Sequence, residues 1–461
     1  MIQNTIFNIY RLGALLFVLM ITSCQKFLDE RISHSSKVVT KLSDLQALLD
    51  AENSVNLGHV PFLLEVATDN NQIDWTNLSK LTTFDQDLYK FVWTDLYPPV
   101  YSSIWLIGYK PISVANIVLE GITKLGLEDT GAGRDLRGQA LFTRAFNHFM
   151  LAQVFCLPYD KDGANDGLGI PIRHDSDINV KSKRSLIKET YNDILRDMNE
   201  AASLLNEQNG YASRANKAAA YAALSRIYQA MELYGESEIA ATKCLALQDK
   251  LIDLNTVDVD ASNPYPANNE ETIYFAYGGG SSLLMPSRGA RVSPELFSLF
   301  EAGDLRIRSY FQKEANGEYS FKGNYMGFGL GTIFCGLTTS EVLLNRAECY
   351  ARKKELDKAK YDLNKFLLNR IEKEFFTPVV DNDADKLLKI ILDERRKELV
   401  NRSVRWLDLR RLNRDPRFKK TLLHTLNIDG RKMEYKLPPE PENYVFKIPK
   451  EVIDIAGIEQ N

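Results

Sequence analysis

Long hydrophobic runs are scarce in this 461-residue chain: the apolar stretch Leu12 to Ile21 is ten residues long and no other approaches 18. A bilayer-spanning helix needs roughly 20, so the sequence predicts no transmembrane span. Charge of one sign is lacking too. The formal net charge is −4, which excludes general nucleic-acid binding, where a basic surface is expected. The five cysteines, Cys24, Cys156, Cys244, Cys335 and Cys349, contain no CxxC pair and no metal-like spacing. Cys244 and Cys349 fall on helical patterns and read as small core residues; the sequence leaves disulfide formation open. The five histidines, His34, His59, His148, His174 and His424, are scattered, with no HExxH and no pair at ligand spacing.

Catalytic signatures are missing as well. There is no GxSxG elbow and no GxxxxGK[ST] phosphate loop. Gly278 to Gly280 follows a strand-like piece, but SSLLMPSRG behind it is no helix start. DNNQIDW (69–75) has the look of a calcium loop, yet lacks the glycine at its sixth position and the late Glu. Nothing singles out two of the 61 acidic residues as a glycosidase pair. The reading is a non-enzyme with no cofactor and no metal.

What is present is globular: 44% apolar and 26% charged residues. Aromatics are plentiful, with 21 Tyr, 22 Phe and 4 Trp. Such rings supply core and also suit stacking against flat apolar faces. At the N-terminus a lone Arg11 precedes the apolar stretch, the layout of a secretory signal. Ile21-Thr22-Ser23-Cys24 then resembles a bacterial lipobox, which implies cleavage before Cys24 and diacylglycerol on its thiol. Two or three acyl chains hold a protein on a membrane stably. Residues 1–23 are therefore expected to be a signal peptide and 24–461 a single domain.

Helical periodicity dominates from about residue 41. A helix is expected from Trp93 to Leu119, broken or kinked by Pro98-Pro99 and Pro111. Arg134 to Phe155 is amphipathic, with Leu141, Ala145, Phe149 and Ala152 on one stripe. AALSRIYQAMELYGESEIAATKCLAL (222–247) and SEVLLNRAECYARKKELDKAKYDLNKFLL (340–368) share a layout 122 residues apart. Tyr350 matches Tyr228, Leu356 matches Tyr234, Ala359 matches Ser237 and Phe366 matches Cys244. This is tetratricopeptide grammar: an aromatic in the first helix, small residues in the second where the two cross closely. Helix-pair units are thus placed near 138–207, 216–247 and 340–368, with a loop-rich, Pro- and Gly-bearing insertion at about 251–336. The densest charge lies at 394–420, eleven basic against four acidic residues. It reads as a helix with salt-bridged turns (Glu394 with Lys397, Glu398 with Arg402, Asp408 with Arg411) whose Leu399, Trp406, Leu407 and Leu412 face inward.

ILDERRKELVNRSVRWLDLRR (391–411) resembles the C-terminal signature of SusD/RagB-family proteins, nutrient-binding surface lipoproteins of Bacteroidetes. SCQKFLDE resembles the family's lipidated start, and Asp29-Glu30 its export tag. GQALFTRAFNHFMLAQVF (138–155), the 216–247 unit and TTSEVLLNRAECYAR (338–352) resemble its repeats, and YVFKIPKEVIDIAGIEQN its closing strand and turn. The resemblance implies a mainly α, tetratricopeptide-like scaffold with a loop-rich ligand face and few short strands. It implies outer-membrane anchoring that faces the exterior, and non-catalytic capture of oligosaccharide, or of peptide in some members. The implied partner is a SusC-like TonB-dependent transporter. Sugar capture needs aromatic faces and planar polar groups, and Asp69, Asn70, Asn71 and Trp75 offer both, as do Tyr277, Arg288 and Tyr325 in the insertion. A scaffold that holds a protein in its repeat groove, and a glycoside hydrolase, are the alternatives.

Overall fold

The computed structural model describes residues 39–58, 60–73, 93, 102–266, 269–279, 284–285, 289–323, 325–327, 332–428 and 431–461. Among them are fifteen α-helices and thirteen strands of two to seven residues. The fold is mainly α. Leu45–Asn461 forms one compact unit, taken by itself below, and Met1–Asp44 groups separately. No helix among the described residues is long and apolar enough to cross a membrane.

Three short helices come first: α1 (Leu42–Leu49), α2 (Glu52–Val55) and α3 (Val60–Val66). The scaffold then runs through α4 (Ser102–Lys124), α5 (Gly131–Phe155), α6 (Ile187–Leu204), α7 (Lys217–Ala230) and α8 (Tyr234–Leu247), each packed on the next. Their starts follow from local chemistry. Thr130 Oγ1 accepts from Gly133 N at 3.0 Å and Asn216 Oδ1 from Ala219 N at 2.9 Å, satisfying amides that no helical carbonyl reaches. Helix α4 continues through Pro111 without a break, although the sequence left either a break or a kink there. Proline forfeits one backbone bond, a penalty of ~3 kcal/mol, while Ile104, Ile112, Ala115, Val118 and Ile122 are all buried along the same helix. Burial of one such side chain returns about 1.5–3 kcal/mol, so packing wins. Helix α5 is also more than amphipathic. The expected stripe is buried, but so are Phe142, Leu151 and Val154, which makes α5 a central helix rather than a one-faced one.

After two short helices in the insertion, α9 (Pro294–Phe297) and α10 (Arg306–Tyr310), come α11 (Thr339–Arg352), packed on α8, and α12 (Leu356–Leu367), packed on α11. The α7/α8 and α11/α12 hairpins turn alike. Glu232 and Lys354, 122 positions apart, both take positive φ, 59° and 63°. Ser237 and Ala359 are fully buried where the helices cross, and Ser237 Oγ donates to Ser225 O at 3.0 Å.

The insertion folds as small sheets. β1 (Leu57–Gly58), β6 (Tyr277–Gly279) and β10 (Thr332–Phe334) make one of three strands, in the order β1-β6-β10. β2 (Asn71–Ile73) pairs antiparallel with β7 (Ala290–Val292), and β5 (Thr272–Tyr274) with β11 (Leu337–Thr338). Near the C-terminus α13 (Ala384–Glu398) and α14 (Arg405–Leu412) precede a hairpin of β12 (Leu422–Ile428) and β13 (Arg431–Leu437). The final segment carries a helix, α15 (Lys450–Ala456), where a strand and turn were expected.

Candidate functional site

The basic stretch 394–420 is an internal fastening rather than a surface. Arg395, Arg396, Arg402, Arg405, Arg410 and Arg411 are all buried, and a buried charge is tolerable only when paired. Glu394 pairs with Lys397, Glu398 lies 4.0 Å from Arg402, and Asp408 lies 2.8 Å from Arg411. Leu399, Trp406, Leu407 and Leu412 are buried beside them. Most partners, however, come from distant sequence. Arg411 grips Glu348 of α11 at 2.6 and 2.8 Å. Arg410 donates to the carbonyls of Gln153, Cys156 and Tyr444. Arg370 bridges Glu271 at 2.6 Å and Glu398 at 2.9 Å.

This fastening reaches the candidate ligand residues, and it absorbs several of them. Asp69 accepts from Arg405 at 2.8 and 2.9 Å, from Lys420 at 2.8 Å and from Arg396 at 3.1 Å. Burial alone would raise its pKa, but the guanidiniums of Arg405 and Arg396 outweigh this and hold the carboxyl well below the usual range. Asn70, also buried, donates to Glu65 Oε1 at 3.0 Å and accepts from Arg396 at 3.3 Å. Tyr325 is 3% exposed, donates to Glu271 Oε2 at 2.5 Å and lies 3.7 Å beneath the Arg402 guanidinium. These three were expected to meet a ligand. Their polar atoms are instead engaged inside the protein, because desolvated polar groups must find internal partners.

Two other candidates stay accessible. Asn71, half-buried, opens β2 and donates to Asn401 Oδ1 at 2.7 Å. Tyr277, half-buried in β6, donates to Asn53 Oδ1 at 3.1 Å. The β2–β7 register sets Asn71 opposite Val292 and Ile73 opposite Ala290, so the segment that continues in sequence to Trp75 joins the one that follows Arg288. Trp75, Arg288 and Cys24 lie outside the described residues.

Sequence reasoning missed a polar-aromatic patch beside Tyr277. Asn56 Nδ2 donates to Ser213 O at 3.0 Å and to Phe275 O at 2.8 Å, tying the 211–214 turn to the strand region. On that turn the Tyr211 ring is 67% exposed, with the Arg214 guanidinium 5.0 Å from its centre. Arg214 is itself held bidentately by Asp50, both bonds at 2.8 Å. A tyrosine in the turn sequence NGYASR was the available signal, since an aromatic in a Gly/Asn/Ser turn has little core to join.

Of the described residues, His174, Asp193 and Asp197 are the group with metal-ligand atoms within 4.8 Å of one another. The Arg196 guanidinium occupies their midst, 2.6 Å from Asp193, 2.8 Å from Asp197 and 3.2 Å from His174. Arg144 adds a bond of 2.6 Å to Asp197. Two arginines thus balance the two aspartates.

Residues 26–229 match a family described as starch-binding and associating with the outer membrane, and residues 338–454 match the SusD family. The chain belongs to the SusD/RagB family. No curated protein matches it. Among solved structures, a SusD superfamily protein from Bacteroides thetaiotaomicron is 22% identical, with a TM-score of 0.72 over 92% of this chain and 100% of that one. A SusD superfamily protein from Bacteroides vulgatus is 20% identical, with a TM-score of 0.71 over 92% and 99% of the two chains. A SusD-like carbohydrate binding protein from the same species is 17% identical, with a TM-score of 0.66 over 91% and 97%. At these identities the likeness is one of fold.

Proposed function

We propose that this protein captures glycan at the outer membrane without catalysis and passes it to a SusC-like TonB-dependent transporter. The observation that carries the reading is the match of residues 26–229 to a family described as starch-binding and associating with the outer membrane. That match begins just after Cys24, which agrees with a lipidated cysteine opening the mature chain. The relative from Bacteroides vulgatus described as a carbohydrate binding protein supports the same reading. The accessible residues supply suitable chemistry, Tyr211, Tyr277 and Asn53 around β6 and Asn71 on β2, with aromatic rings for the apolar sides of pyranoses and amides for their hydroxyls. Trp75 is the proposed stacking platform.

The test is affinity electrophoresis through gels containing soluble polysaccharides, amylopectin first, followed by isothermal titration with oligosaccharides of the one that retards migration. Trp75→Ala and Tyr277→Ala are expected to weaken binding at least tenfold, with no release of reducing ends in either form. Unchanged affinity in both variants would sink the site assignment, and steady production of reducing ends would sink the non-catalytic reading. The anchor is tested separately. Cys24→Ser is expected to yield a soluble, folded protein that still binds glycan but no longer supports uptake, and continued membrane attachment of that variant would refute it.

A further inference from the structure

A cleft of about 530 Å³ opens between α4, the 171–182 loop and the C-terminal segment that holds α15. The size is that of a small-molecule pocket, yet its chemistry is unlike the aromatic-amide patch around Tyr277. Its apolar walls are mainly aliphatic: Ile112 from α4, Ile178 and Val180 from the loop, Val452, Ile455 and Ile458 from the C-terminal segment, with the half-buried Tyr109 beside them. Ile178 and Ile455 are 89% and 88% exposed, so large apolar side chains stand in water on two sides of the opening. Trp105 also lines the cleft, but its ring is 8% exposed and packed 5.0 Å from both Tyr109 and Phe155. It has no open face on which a sugar ring would stack.

Much of the polar lining is already committed. Asn116 Nδ2 donates to the carbonyls of Arg173 and Asp175, and its Oδ1 accepts from Arg144. The Arg173 guanidinium donates to Val180 O, Ser182 Oγ, Asp175 Oδ1 and Asp177 O. These bonds stiffen the loop into a preformed wall and leave few donors for hydroxyl recognition. Four charged side chains line the cleft: Arg173, Asp175, Lys181 and Asp454. Arg173 pairs with Asp175 at 3.2 Å, and Lys450 pairs with Asp454 at 2.6 Å. Among the described residues, Lys181 is left without an ion-pair partner.

We propose that this cleft binds a monomeric anionic amphiphile, its alkyl chain against the Ile112, Ile178, Val180 and Ile455 walls and its carboxylate or similar head at Lys181. A concave, aliphatic site with one uncompensated cation fits a single inserted chain better than a flat lipid surface or a neutral saccharide. Glycan capture does not enter this assignment.

The experiment is isothermal titration of the complete polypeptide, expressed without lipidation, with octanoate, decanoate and dodecanoate below their critical micelle concentrations. One saturable site is expected. Each added methylene buried against the walls should tighten binding about fourfold. Lys181→Glu should weaken dodecanoate at least fivefold while leaving 1-decanol unchanged. Ser113→Trp, which fills the cleft from α4, should abolish binding. Ile455→Asp, at a position exposed enough to leave folding intact, should weaken it at least tenfold. Absence of a saturable site, or affinities unchanged in both Ser113→Trp and Ile455→Asp, overturns the proposal. So does binding to phosphatidylglycerol vesicles without uptake of monomeric dodecanoate, and so does displacement of dodecanoate by maltoheptaose.

Discussion

The substitution Arg370→Met isolates what the buried charge network is worth. Arg370 is 2% exposed. Its Nη2 lies 2.6 Å from Glu271 and 2.9 Å from Glu398, its Nε 3.0 Å from Glu398, and its Nη1 donates to Ile252 O at 2.7 Å. Methionine fills much of the space but leaves two buried carboxylates facing a thioether. Glu271 keeps the Tyr325 hydroxyl and the Ile252 amide, at 2.5 and 2.8 Å. Glu398 keeps the Tyr310 hydroxyl at 3.1 Å, with Arg306 and Arg402 only at 3.6 and 4.0 Å. Removing one partner of a buried pair costs about 3–5 kcal/mol. With an unfolding entropy near 2.1 cal/mol/K per residue over roughly 400 residues, that is a fall in Tm of roughly 4–6 °C by calorimetry. The pH dependence adds a second readout. In the wild type burial pushes the Glu398 carboxyl up, but Arg370 outweighs it and holds the carboxyl below its ordinary 4.5. The stability it contributes is present above that ordinary value and is lost as pH falls through the folded one. The variant's orphaned carboxylates are instead relieved by protonation, so the gap between the two proteins should narrow from pH 7 to pH 4. A deficit below about 1 kcal/mol, against the several expected, or a gap that widens in acid, would refute the reasoning.

Three further predictions follow the same chemistry. Burial raises Glu65 to about 7, above its ordinary 4.5, against the hydrogen bonds from Asn70 and the Ser403 amide; its stabilising contribution is therefore full below 4.5 and lost as pH rises through about 7. Wild-type stability in denaturant melts should fall between about pH 5 and 7 with a slope of up to ~1.4 kcal/mol per pH unit and level off above that, and Glu65→Gln should flatten it; equal slopes in the two proteins would exclude Glu65 as the titrating group. The four described cysteines, Cys156, Cys244, Cys335 and Cys349, are free and buried, and burial pushes the thiols of Cys156, Cys335 and Cys349 up to about 12. Cys24→Ser protein should leave Ellman's reagent unreacted when native and release four thiols in guanidinium; rapid native labelling would contradict that burial. At Gly336 a Cβ would stand 2.0 Å from the Tyr274 carbonyl oxygen, so Gly336→Ala must part β5 from β11 at a penalty of about 2–3 kcal/mol in denaturant melts. Gly235→Ala in α8, where a Cβ meets nothing within 4 Å, is the control and should be neutral or stabilising.

What the sequence revealed and what it hid divide along the range of the interactions. The helices of the scaffold rest on contacts three and four residues apart, which is why Tyr228, Ser237 and Cys244 could be aligned with Tyr350, Ala359 and Phe366 before any coordinates. The matching left-handed turns at Glu232 and Lys354 follow from the same local geometry. The strands of the insertion are two or three residues long and owe their existence to partners far away. Asn71 finds Val292 across the β2–β7 ladder, and Leu57 finds Tyr277 across β1–β6. No window of sequence carries that information. The β12–β13 hairpin, with seven residue pairs, is the exception, since Asp429-Gly430 between its strands is a local turn signal in the sequence.

The charge pattern at 394–420 is legible only in part for a related reason. The salt-bridged turns and the inward Leu399, Trp406, Leu407 and Leu412 follow from local spacing, but eleven basic residues outnumber four acidic ones within the stretch. The balance is restored only in three dimensions, by Asp69, Glu232, Glu295 and Glu348 from other parts of the chain. The same fact explains why DNNQIDW is read as ligand-binding from sequence while its first two residues are internal. Asp69 and Asn70 are anchored by Arg396 and Arg405, and through their carbonyls by Ser293. Ser293 directly follows β7, so a single cluster fixes both strands of the ladder. An anchored ladder costs little entropy to organise when a ligand arrives. Under the proposed glycan-binding reading, the arginines of the C-terminal signature would act on binding at one remove, by pre-setting the backbone from which Asn71 is displayed. Loss of Arg405 should accordingly weaken glycan binding together with stability, whereas loss of Tyr277 should weaken binding alone.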